Sequence, residues 1–224
     1  SDFITLNGGT LKTTGEFTLD SDRGITLQAA SSIEVEASSN TLTYGGIISG
    51  SANLTKTGSG TLSLTGSNTY SGTTTISEGK ISISADNNLG QSPASATAGS
   101  LVLNGGSLFS TSNMTLNSDR GISLGASGGT IETESSTTLT YGGIIADSGA
   151  FTKSGAGTLL LSGANTYTGL TTISAGTLQV TGTLSDSAVI NNQGTYDVDN
   201  SDTISRVYDT SGSPGNIELA SGVT

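Results

Sequence analysis

The sequence predicts an all-β chain that folds as a parallel β-solenoid of about nine coils. Three observations carry this prediction. The chain repeats itself at an offset of 97 residues, because 25 of the 43 residues in segment 42–84 recur in segment 139–181 without a gap. Its apolar residues fall in short runs that alternate with Ser or Thr, and comparable runs recur every 21 to 27 residues. A long internal period of this kind is typical of stacked supersecondary units.

Composition separates this chain from ordinary globular domains. Charged residues make up 11% and aromatic residues 4% of the 224 residues, and 33 residues are glycine. The hydrophobic content of 32% is below the roughly 45% typical of folded domains. The polar residues, however, are mostly uncharged and compatible with β-structure. We therefore expect an ordered chain with a thin, continuous core rather than a disordered one.

The charge balance and the missing residue types exclude several classes of function. The chain has 18 acidic and 7 basic side chains, a net charge of −11, which argues against nucleic acid and anionic membranes as partners. It contains no cysteine and no histidine. Disulfides, thiolate or imidazole metal sites and Ser-His-Asp catalysis are therefore excluded, and no cofactor is expected. No apolar run reaches the ~20 residues of a membrane span, so the chain is not expected to span a membrane itself.

Strand signals recur along the chain. Short runs alternate Leu, Ile or Val with Ser or Thr, and Gly or Asn separates them as turns require. The clearest strands are predicted at 61–64, 73–77, 80–84, 100–103 and 177–180. No segment keeps apolar residues at helical spacing for three turns, so no significant helix is expected.

The spacing of the strands indicates the length of a coil. Comparable apolar strands begin near Leu101, Ile122, Ile144, Thr171 and Tyr196, at steps of 21 to 27 residues. Because these steps are close to a quarter of the repeat, each repeat is expected to contain about four coils. If every strand pairs with its counterpart in the next coil at ~4.8 Å, nine coils extend roughly 40–45 Å.

The repeat also sets the expected domain organisation. We expect one continuous solenoid over residues 1–224, with repeats at 1–97 and 98–194 and a divergent partial repeat at 195–224. The last segment keeps the pattern of short strands, and further coils are expected after it. An active site rarely has to be built twice, so the repetition favours a scaffold over an enzyme.

Two segments of the repeat carry a recognisable motif. TKTGSGTLSLTGSNTYSGTTTISEGKI begins at Thr55, and its copy TKSGAGTLLLSGANTYTGLTTISAGTL begins at Thr152. The motif resembles the autotransporter-associated β-strand repeat found in passenger regions of Gram-negative autotransporters. Lys56 and Lys153 match it. The remaining structural signature consists of Gly58, Gly60, Leu62, Leu64, Gly66, Asn68, Tyr70, Gly72, Ile76, Gly79, Gly155, Gly157, Leu159, Leu161, Gly163, Asn165, Tyr167, Gly169, Ile173 and Gly176.

This resemblance implies both a fold and a cellular role. The implied fold is a right-handed parallel β-helix, exported across the outer membrane and either displayed at the cell surface or released. In that family the repeat is thought to help secretion by seeding the folding of the passenger outside the cell. The expected function is therefore structural and non-enzymatic, that of a passenger stalk or adhesin segment outside the cell.

Acidic side chains are the remaining candidates for chemistry. Glu34 and Glu36, like Glu132 and Glu134, alternate with apolar residues, which places each pair on one face of a strand. Paired carboxylates could cleave a glycosidic bond. The solvent face of a strand is the favoured interpretation, however, and no catalytic residue is assigned.

The densest acidic run is DVDNSD. Asp197, Asp199 and Asp202 present oxygen ligands at spacings of two and three residues, which could hold Ca²⁺. Neither the EF-hand spacing nor the glycine-rich nonapeptide of calcium-binding β-rolls is met. A structural turn is therefore favoured, and no metal site is assigned.

Three repeated elements are interpreted as structural. The SDRGI strings at 21–25 and 118–122 predict a local salt bridge between the neighbouring Asp and Arg, followed by a glycine corner. Asn68 and its copy are expected in turns, where Asn tolerates left-handed backbone and can bond to its counterpart in the next coil. Tyr70 and its copy are expected to pack at a corner rather than to stack on sugars.

Three alternatives to the stalk remain open from the sequence. A self-assembling extracellular filament or sheath would use the same stacking, with end-to-end self-association of coils. A carbohydrate-binding module would use the acidic and tyrosyl face, and its partner would be a glycan, whereas an adhesin would also bind a protein at a host or cell surface. A polysaccharide-cleaving enzyme would need carboxylates from adjacent coils in one groove.

Overall fold

The computed structural model describes residues 3–184, 189–191, 193–198, 207–209 and 216–219. Within these residues every pairing between strands is parallel, and strands pair with strands of the neighbouring coils, as β9 pairs with β6 and β11. The chain is a β-solenoid of about nine turns, as the sequence predicts. The part of the chain that the structure describes contains a single helical element, one 3₁₀ turn.

The strands are short because apolar residues alternate with Ser and Thr and glycine interrupts each run. In chain order they are β1 (Ile4–Asn7), β2 (Thr10–Thr13), β3 (Phe17–Leu19), β4 (Ile25–Ala29), β5 (Ser31–Val35), β6 (Thr41–Tyr44), β7 (Ile48–Gly50), β8 (Leu54–Thr57), β9 (Thr61–Leu64), β10 (Thr74–Ile76), β11 (Lys80–Ile83), β12 (Thr97–Leu103), β13 (Ser107–Ser110), β14 (Met114–Leu116), β15 (Arg120–Leu124), β16 (Gly129–Thr133), β17 (Thr138–Tyr141), β18 (Ile145–Ala146), β19 (Phe151–Ser154), β20 (Thr158–Leu161), β21 (Thr171–Ile173), β22 (Thr177–Val180), β23 (Val189–Asn191), β24 (Thr195–Val198), β25 (Val207–Asp209) and β26 (Asn216–Leu219). The 3₁₀ turn is Asp86–Leu89.

The strands form three faces around the solenoid axis. The first face begins with the sheet β1-β4-β7 and ends with the six-stranded sheet that runs from β14 to β26. The second face is a seven-stranded sheet from β2 to β18, and the third is a ten-stranded sheet from β3 to β25. Three consecutive strands of the chain therefore make one coil, one strand on each face.

Two segments without strands join the two sheets of the first face. Thr69 N donates to the Ile48 carbonyl at 2.8 Å, so the segment around Thr69 stacks on β7. Asn68 N donates to the Asn87 carbonyl at 2.9 Å, which places the 3₁₀ turn on the next coil. The 3₁₀ turn in turn contacts β14, the first strand of the six-stranded sheet. The first face is therefore continuous, although its strands are not.

The core is a set of apolar columns that run along the axis. In β9 and β11 the residues Leu62 and Leu64 pair with Ile81 and Ile83 in register, and all four side chains are at most 1% exposed. The residues between them point outward, as the two-residue period of a strand requires. Burial of a side chain of this size contributes about 1.5–3 kcal/mol relative to exposure. Because apolar residues of successive coils stack on one another, each short strand buries its apolar face next to that of the following strand.

The repeat does not contain a whole number of coils. Each strand, and each of the two segments without a strand, covers one face of the solenoid. Counting from β4 and stopping before its sequence counterpart β15, there are eleven strands and two such segments, thirteen in all. Since three segments make a coil, the repeat spans four and one third turns. β4 accordingly lies on the first face and β15 on the second. The second copy is rotated by one face relative to the first.

This rotation refines the expectation of about four coils per repeat, which the structure gives as four and one third. Leu101, Ile122 and Ile145 lie on one face, in β12, β15 and β18, but Thr171 begins β21 on the third face. The step to Thr171 is long because it passes one extra corner. The length of a coil is set by its three faces and corners, and 97 residues is not a multiple of that length.

Candidate functional site

A lysine lies near the start of each copy of the motif, with its side chain inside the solenoid. Lys56 in β8 is fully buried, and its Nζ donates to the carbonyl oxygens of Thr57 at 2.7 Å and Gly58 at 2.6 Å. A third bond, of 3.4 Å, reaches the Glu78 carbonyl in the next coil. Gly58 has a φ of 71°, a left-handed conformation that favours glycine. The ammonium thus satisfies turn carbonyls from two coils.

The second copy repeats this arrangement. Lys153 is also fully buried and donates to the carbonyls of Ser154, Gly155 and Ala175 at 2.6, 2.8 and 3.2 Å. Burial lowers the pKa of Lys56 to about 8, and it lowers the pKa of Lys153 to about 8 as well. The sequence analysis gave these lysines no role. The two-residue period of a strand could have indicated their burial. Each lysine lies two residues after a buried apolar residue and therefore points inward.

Asn68 and Asn165 bridge coils from buried positions. Asn68 accepts from the Ile48 amide at 2.8 Å and donates to the Asn88 carbonyl. Asn165 accepts from the Ile145 amide at 3.0 Å, which is the same contact one repeat later. Neither asparagine has left-handed backbone, and each bonds to main-chain groups rather than to a side-chain counterpart. The asparagines therefore bridge coils through the main chain, and both the expected bond to a counterpart side chain and the expected left-handed conformation were wrong.

The motif tyrosines lie in the interior. Tyr70 and Tyr167 have no exposed surface, and their hydroxyls bond to Thr74 and Thr171 at 2.7 and 2.6 Å. Burial raises the pKa of Tyr70 to about 12. Because the rings are enclosed, they cannot stack on a sugar, so an acidic and tyrosyl binding face is not present at these residues.

Two motif glycines allow the coils to approach one another. A side chain at Gly66 would overlap the Gly46 carbonyl in the preceding coil, and one at Gly163 would overlap the Gly143 carbonyl. Glycine is required here by the close approach of backbone rather than by φ. The motif therefore consists largely of residues that stack coils.

The paired carboxylates lie on the outside of the strands. Glu34 and Glu36 flank the buried Val35, and Lys12 Nζ lies 3.0 and 3.1 Å from their carboxylates. These hydrogen bonds raise the pKa of the Lys12 ammonium. In the second copy Glu132 contacts Lys80 at 2.6 Å. Glu34, Glu36 and Glu132 thus take part in ion pairs between coils on the outer surface.

The acidic run near Asp197 is only partly described. Asp197 lies in β24, whereas Asp199 and Asp202 lie outside the described residues. Among the residues that the structure describes, no group of three or more potential metal ligands is found. The calcium interpretation of this run stays untested.

The SDRGI strings differ between the two copies. Arg120 does not pair with the neighbouring Asp119, as the sequence analysis expected, but with Asp86 in the 3₁₀ turn, 34 residues earlier. Its side chain is 3% exposed and also donates to the carbonyls of Leu89 and Gly90. Arg23, in the first copy, is exposed. No sequence signal indicates this pairing, because its partner lies in a segment without a counterpart in the repeat.

Comparisons with known proteins match the motif. Residues 54–83 and 151–180 match the sequence model of the Passenger-associated-transport-repeat. The chain is 38% identical over 138 residues to the Adhesin BmaC autotransporter of Brucella suis biovar 1 (strain 1330). This alignment covers 61% of the chain and 4% of that adhesin. No solved structure matches the chain. The resemblance to autotransporter passenger repeats is confirmed.

The length and hydropathy of its helical segments bear on whether the chain crosses a membrane. Among the described residues, no helix combines the length and the apolar character needed to cross a bilayer.

Proposed function

We propose that this chain is a cell-surface β-solenoid segment, exported as part of an autotransporter-type passenger that serves as a stalk or adhesin. One observation carries the proposal. The two segments that match the Passenger-associated-transport-repeat supply the buried lysine and asparagine that join successive coils, and a buried tyrosine that packs in the interior. The motif is thus a stacking module rather than a binding pocket. Its similarity to an autotransporter adhesin supports placement outside the cell.

A non-enzymatic role is part of this proposal. Glu34 and Glu36 share one ammonium group on the solvent side, and Glu132 contacts Lys80. These carboxylates act as ion-pair partners between coils, an arrangement that supports the outer surface of a scaffold. The mechanism we propose is mechanical: each coil offers its backbone and its apolar columns as the template for the next.

We also propose that residues 1–224 form one continuous solenoid, divided into repeats at 1–97 and 98–194 and a partial repeat at 195–224. β24 pairs with β22 and β26, which supports continuation of the six-stranded sheet into the partial repeat. Coil ends present unpaired backbone, so end-to-end self-association is a further part of this proposal. Sedimentation velocity over a hundredfold concentration range would reveal it, and a constant monomer would contradict it.

Surface placement is tested on intact bacteria that make the full-length protein. An antibody against residues 3–184 should label unpermeabilised cells or detect the segment in the medium, and external protease should remove the label. A periplasmic protein in the same cells serves as the control and must stay protected. Labelling that requires permeabilisation of the outer membrane would contradict the proposal.

The stacking role is tested by the amount of protein that reaches the surface. A double substitution, Gly66→Ala with Gly163→Ala, should lower the surface amount several-fold, because it prevents two coils from closing. The matched control is Gly15→Ala, where an added methyl group meets no atom within 4 Å. Equal surface amounts for all three proteins would contradict a role for coil stacking in export.

A further inference from the structure

The same tetrapeptide, Leu-Asn-Gly-Gly, occurs at the end of a strand in each copy of the repeat. Asn7 is the last residue of β1, and its counterpart Asn104 directly follows β12. An asparagine that precedes glycine can deamidate without an enzyme, because glycine has no side chain to hinder attack by its backbone nitrogen on the asparagine side chain. The structure surrounds the two asparagines differently, so identical sequences are expected to react at different rates.

In the second copy, the following coil holds both groups that would react. Asn104 is half-buried, and its Oδ1 accepts a hydrogen bond from the Ser127 amide at 3.1 Å. The amide of Gly105, which contains the attacking nitrogen, donates to the Gly128 carbonyl at 2.7 Å. A side chain at Gly125 would overlap the Asn104 side chain, so the two coils are in close contact here. The backbone of the next coil therefore fixes the asparagine and its neighbouring glycine.

One additional residue in the second copy forms this contact. Residues 125–129 correspond to residues 28–31 of the first copy, so the second copy is one residue longer at this place. The longer segment makes a tight turn, closed by a hydrogen bond of 2.8 Å from the Gly128 amide to the Gly125 carbonyl. The first copy instead continues β4 to Ala29. The groups that fix Asn104 belong to the turn, and the shorter segment does not form it.

The corresponding groups of the first copy are open to solvent. Asn7 is exposed, and its side chain forms no hydrogen bond with any residue that the structure describes. The Gly8 amide donates to a side chain, the Ser31 hydroxyl, at 3.1 Å. A side chain at Gly8 or Gly9 would meet no atom within 4 Å. The Gly8 nitrogen therefore reaches the Asn7 side chain after release of one hydrogen bond, without displacing a neighbouring group.

We infer that Asn7 is a site of spontaneous deamidation, and that the stacked coils protect Asn104 from the same reaction. The backbone nitrogen of Gly8 forms a bond to the side-chain carbonyl carbon of Asn7, and the bond from that carbon to Nδ2 breaks. Ammonia leaves with the proton of the Gly8 amide. Water then opens the cyclic imide at either carbonyl, which gives aspartate or isoaspartate. At Asn104 the turn must open first, so the reaction proceeds only in the small fraction of molecules that are locally open.

The product changes the end of β1. A carboxylate replaces a neutral amide, which makes the chain more negative than its present net charge of −11. Isoaspartate also lengthens the backbone by a methylene group between Asn7 and Gly8. The register between β1 and β4 already shifts at Asn7, and the space around Gly8 is open, so the longer backbone fits there. The inference concerns the chemistry of the chain itself and does not rest on where the cell places it.

The test follows both asparagines in one sample of the folded chain at pH 8 and 37 °C. The buffer contains H₂¹⁸O, so that oxygen taken up during the incubation is distinguished from oxygen taken up later. Peptide mass spectrometry should show that Asn7 is converted at least about tenfold faster than Asn104. In concentrated guanidinium chloride the two rates should become similar, because the tetrapeptide is the same. Equal rates in the folded chain, or an undiminished difference in guanidinium chloride, would overturn the inference.

A variant of the turn locates the protection. Replacing residues 125–129 by Gln-Ala-Ala-Ser, the sequence at 28–31, gives the second copy the shorter segment and should raise the rate at Asn104 about tenfold. Asn7 in the same molecule is the matched control and should keep its rate. Circular dichroism verifies that the variant is folded. A folded variant in which Asn104 still reacts slowly would overturn the inference, and if the variant does not fold, the comparison in the parent chain decides.

Discussion

Arg120 and Asp86 form a two-point ion pair inside the solenoid. Nε lies 3.1 Å from Oδ1, and Nη2 lies 3.2 Å from Oδ2. The pair fastens the 3₁₀ turn, which replaces a strand on the first face, to the start of β15, 34 residues later in the chain. Burial alone would raise the pKa of the Asp86 carboxyl, but hydrogen bonds from Arg120, Ser92 and the Asn117 amide outweigh it and lower that pKa.

Removing one partner of this pair should be costly. Arg120→Ala leaves the Asp86 carboxylate and the carbonyls of Leu89 and Gly90 without their donor, so we expect the free energy of unfolding to fall by about 3 kcal/mol. Urea denaturation followed by circular dichroism measures the change. Arg23→Ala alters the same residue of the same five-residue string at an exposed site and should change stability by about 0.5 kcal/mol or less. Equal effects of the two substitutions would refute the structural role of the pair.

The buried lysines should make stability depend on pH. The pKa of Lys56 is about 8 in the folded chain and about 10.5 when unfolded. Between these values the unfolded chain binds more protons, so stability should rise as pH rises from 8, by about 1.5 kcal/mol per lysine up to pH 9.5. Above pH 10 the trend should reverse, because the pKa of Tyr70 is raised to about 12 in the folded chain.

This pH dependence has a direct control. In a variant with Lys56→Met and Lys153→Met, the rise between pH 8 and pH 9.5 should disappear. The same variant should be less stable at pH 9.5, because the carbonyls that Lys56 and Lys153 satisfy lose their donor at about 1–3 kcal/mol per site. Guanidinium denaturation at pH 7.5, 8.5 and 9.5 measures both effects. If the stability of the variant rose by the same amount between pH 8 and pH 9.5, the pH dependence would come from titratable groups other than these two lysines.

The close approach of coils at Gly66 should tolerate no side chain. Gly66→Ala places a methyl group against the Gly46 carbonyl and should lower the free energy of unfolding by about 3 kcal/mol or more. Gly15→Ala adds the same group in open space and should change it by about 0.5 kcal/mol or less. Thermal unfolding of both variants beside the parent chain gives the comparison. A neutral Gly66→Ala would mean that the coils stand farther apart than the structure has them.

Much of the fold could be predicted from the sequence because its signals are local. The strands at 61–64 and 177–180 are where alternation of Leu with Ser or Thr placed them. The buried column of Leu62 over Ile81 follows from the same alternation. The 97-residue repeat predicted that coils stack on one another, and the motif indicated the resemblance to autotransporter passengers.

The features that the sequence does not reveal depend on contacts between distant residues or on how many segments make up the repeat. The Arg120 to Asp86 pair links a repeated residue to one without a counterpart, so no periodicity indicates it. The rotation of the second copy depends on the number of face segments in the repeat, and two of those segments form no strand. The bulge in β12 shifts the register between Thr97 and Leu101 without changing the composition. The ion pair, the rotation and the bulge all arise only when the coils are stacked on one another.

The most direct test of the central claim, that the second copy is rotated by one face, is a cysteine cross-link in a chain that has no native cysteine. Val102 corresponds to Thr5 of the first face, but here it pairs with Thr75 of the second face. Neighbouring parallel strands lie about 4.8 Å apart, within reach of a disulfide. Thr75→Cys with Val102→Cys should therefore oxidise to an internal disulfide, seen by mass spectrometry, while Thr69→Cys with Val102→Cys should stay reduced. The reverse pattern would place both copies on the same face and contradict the account.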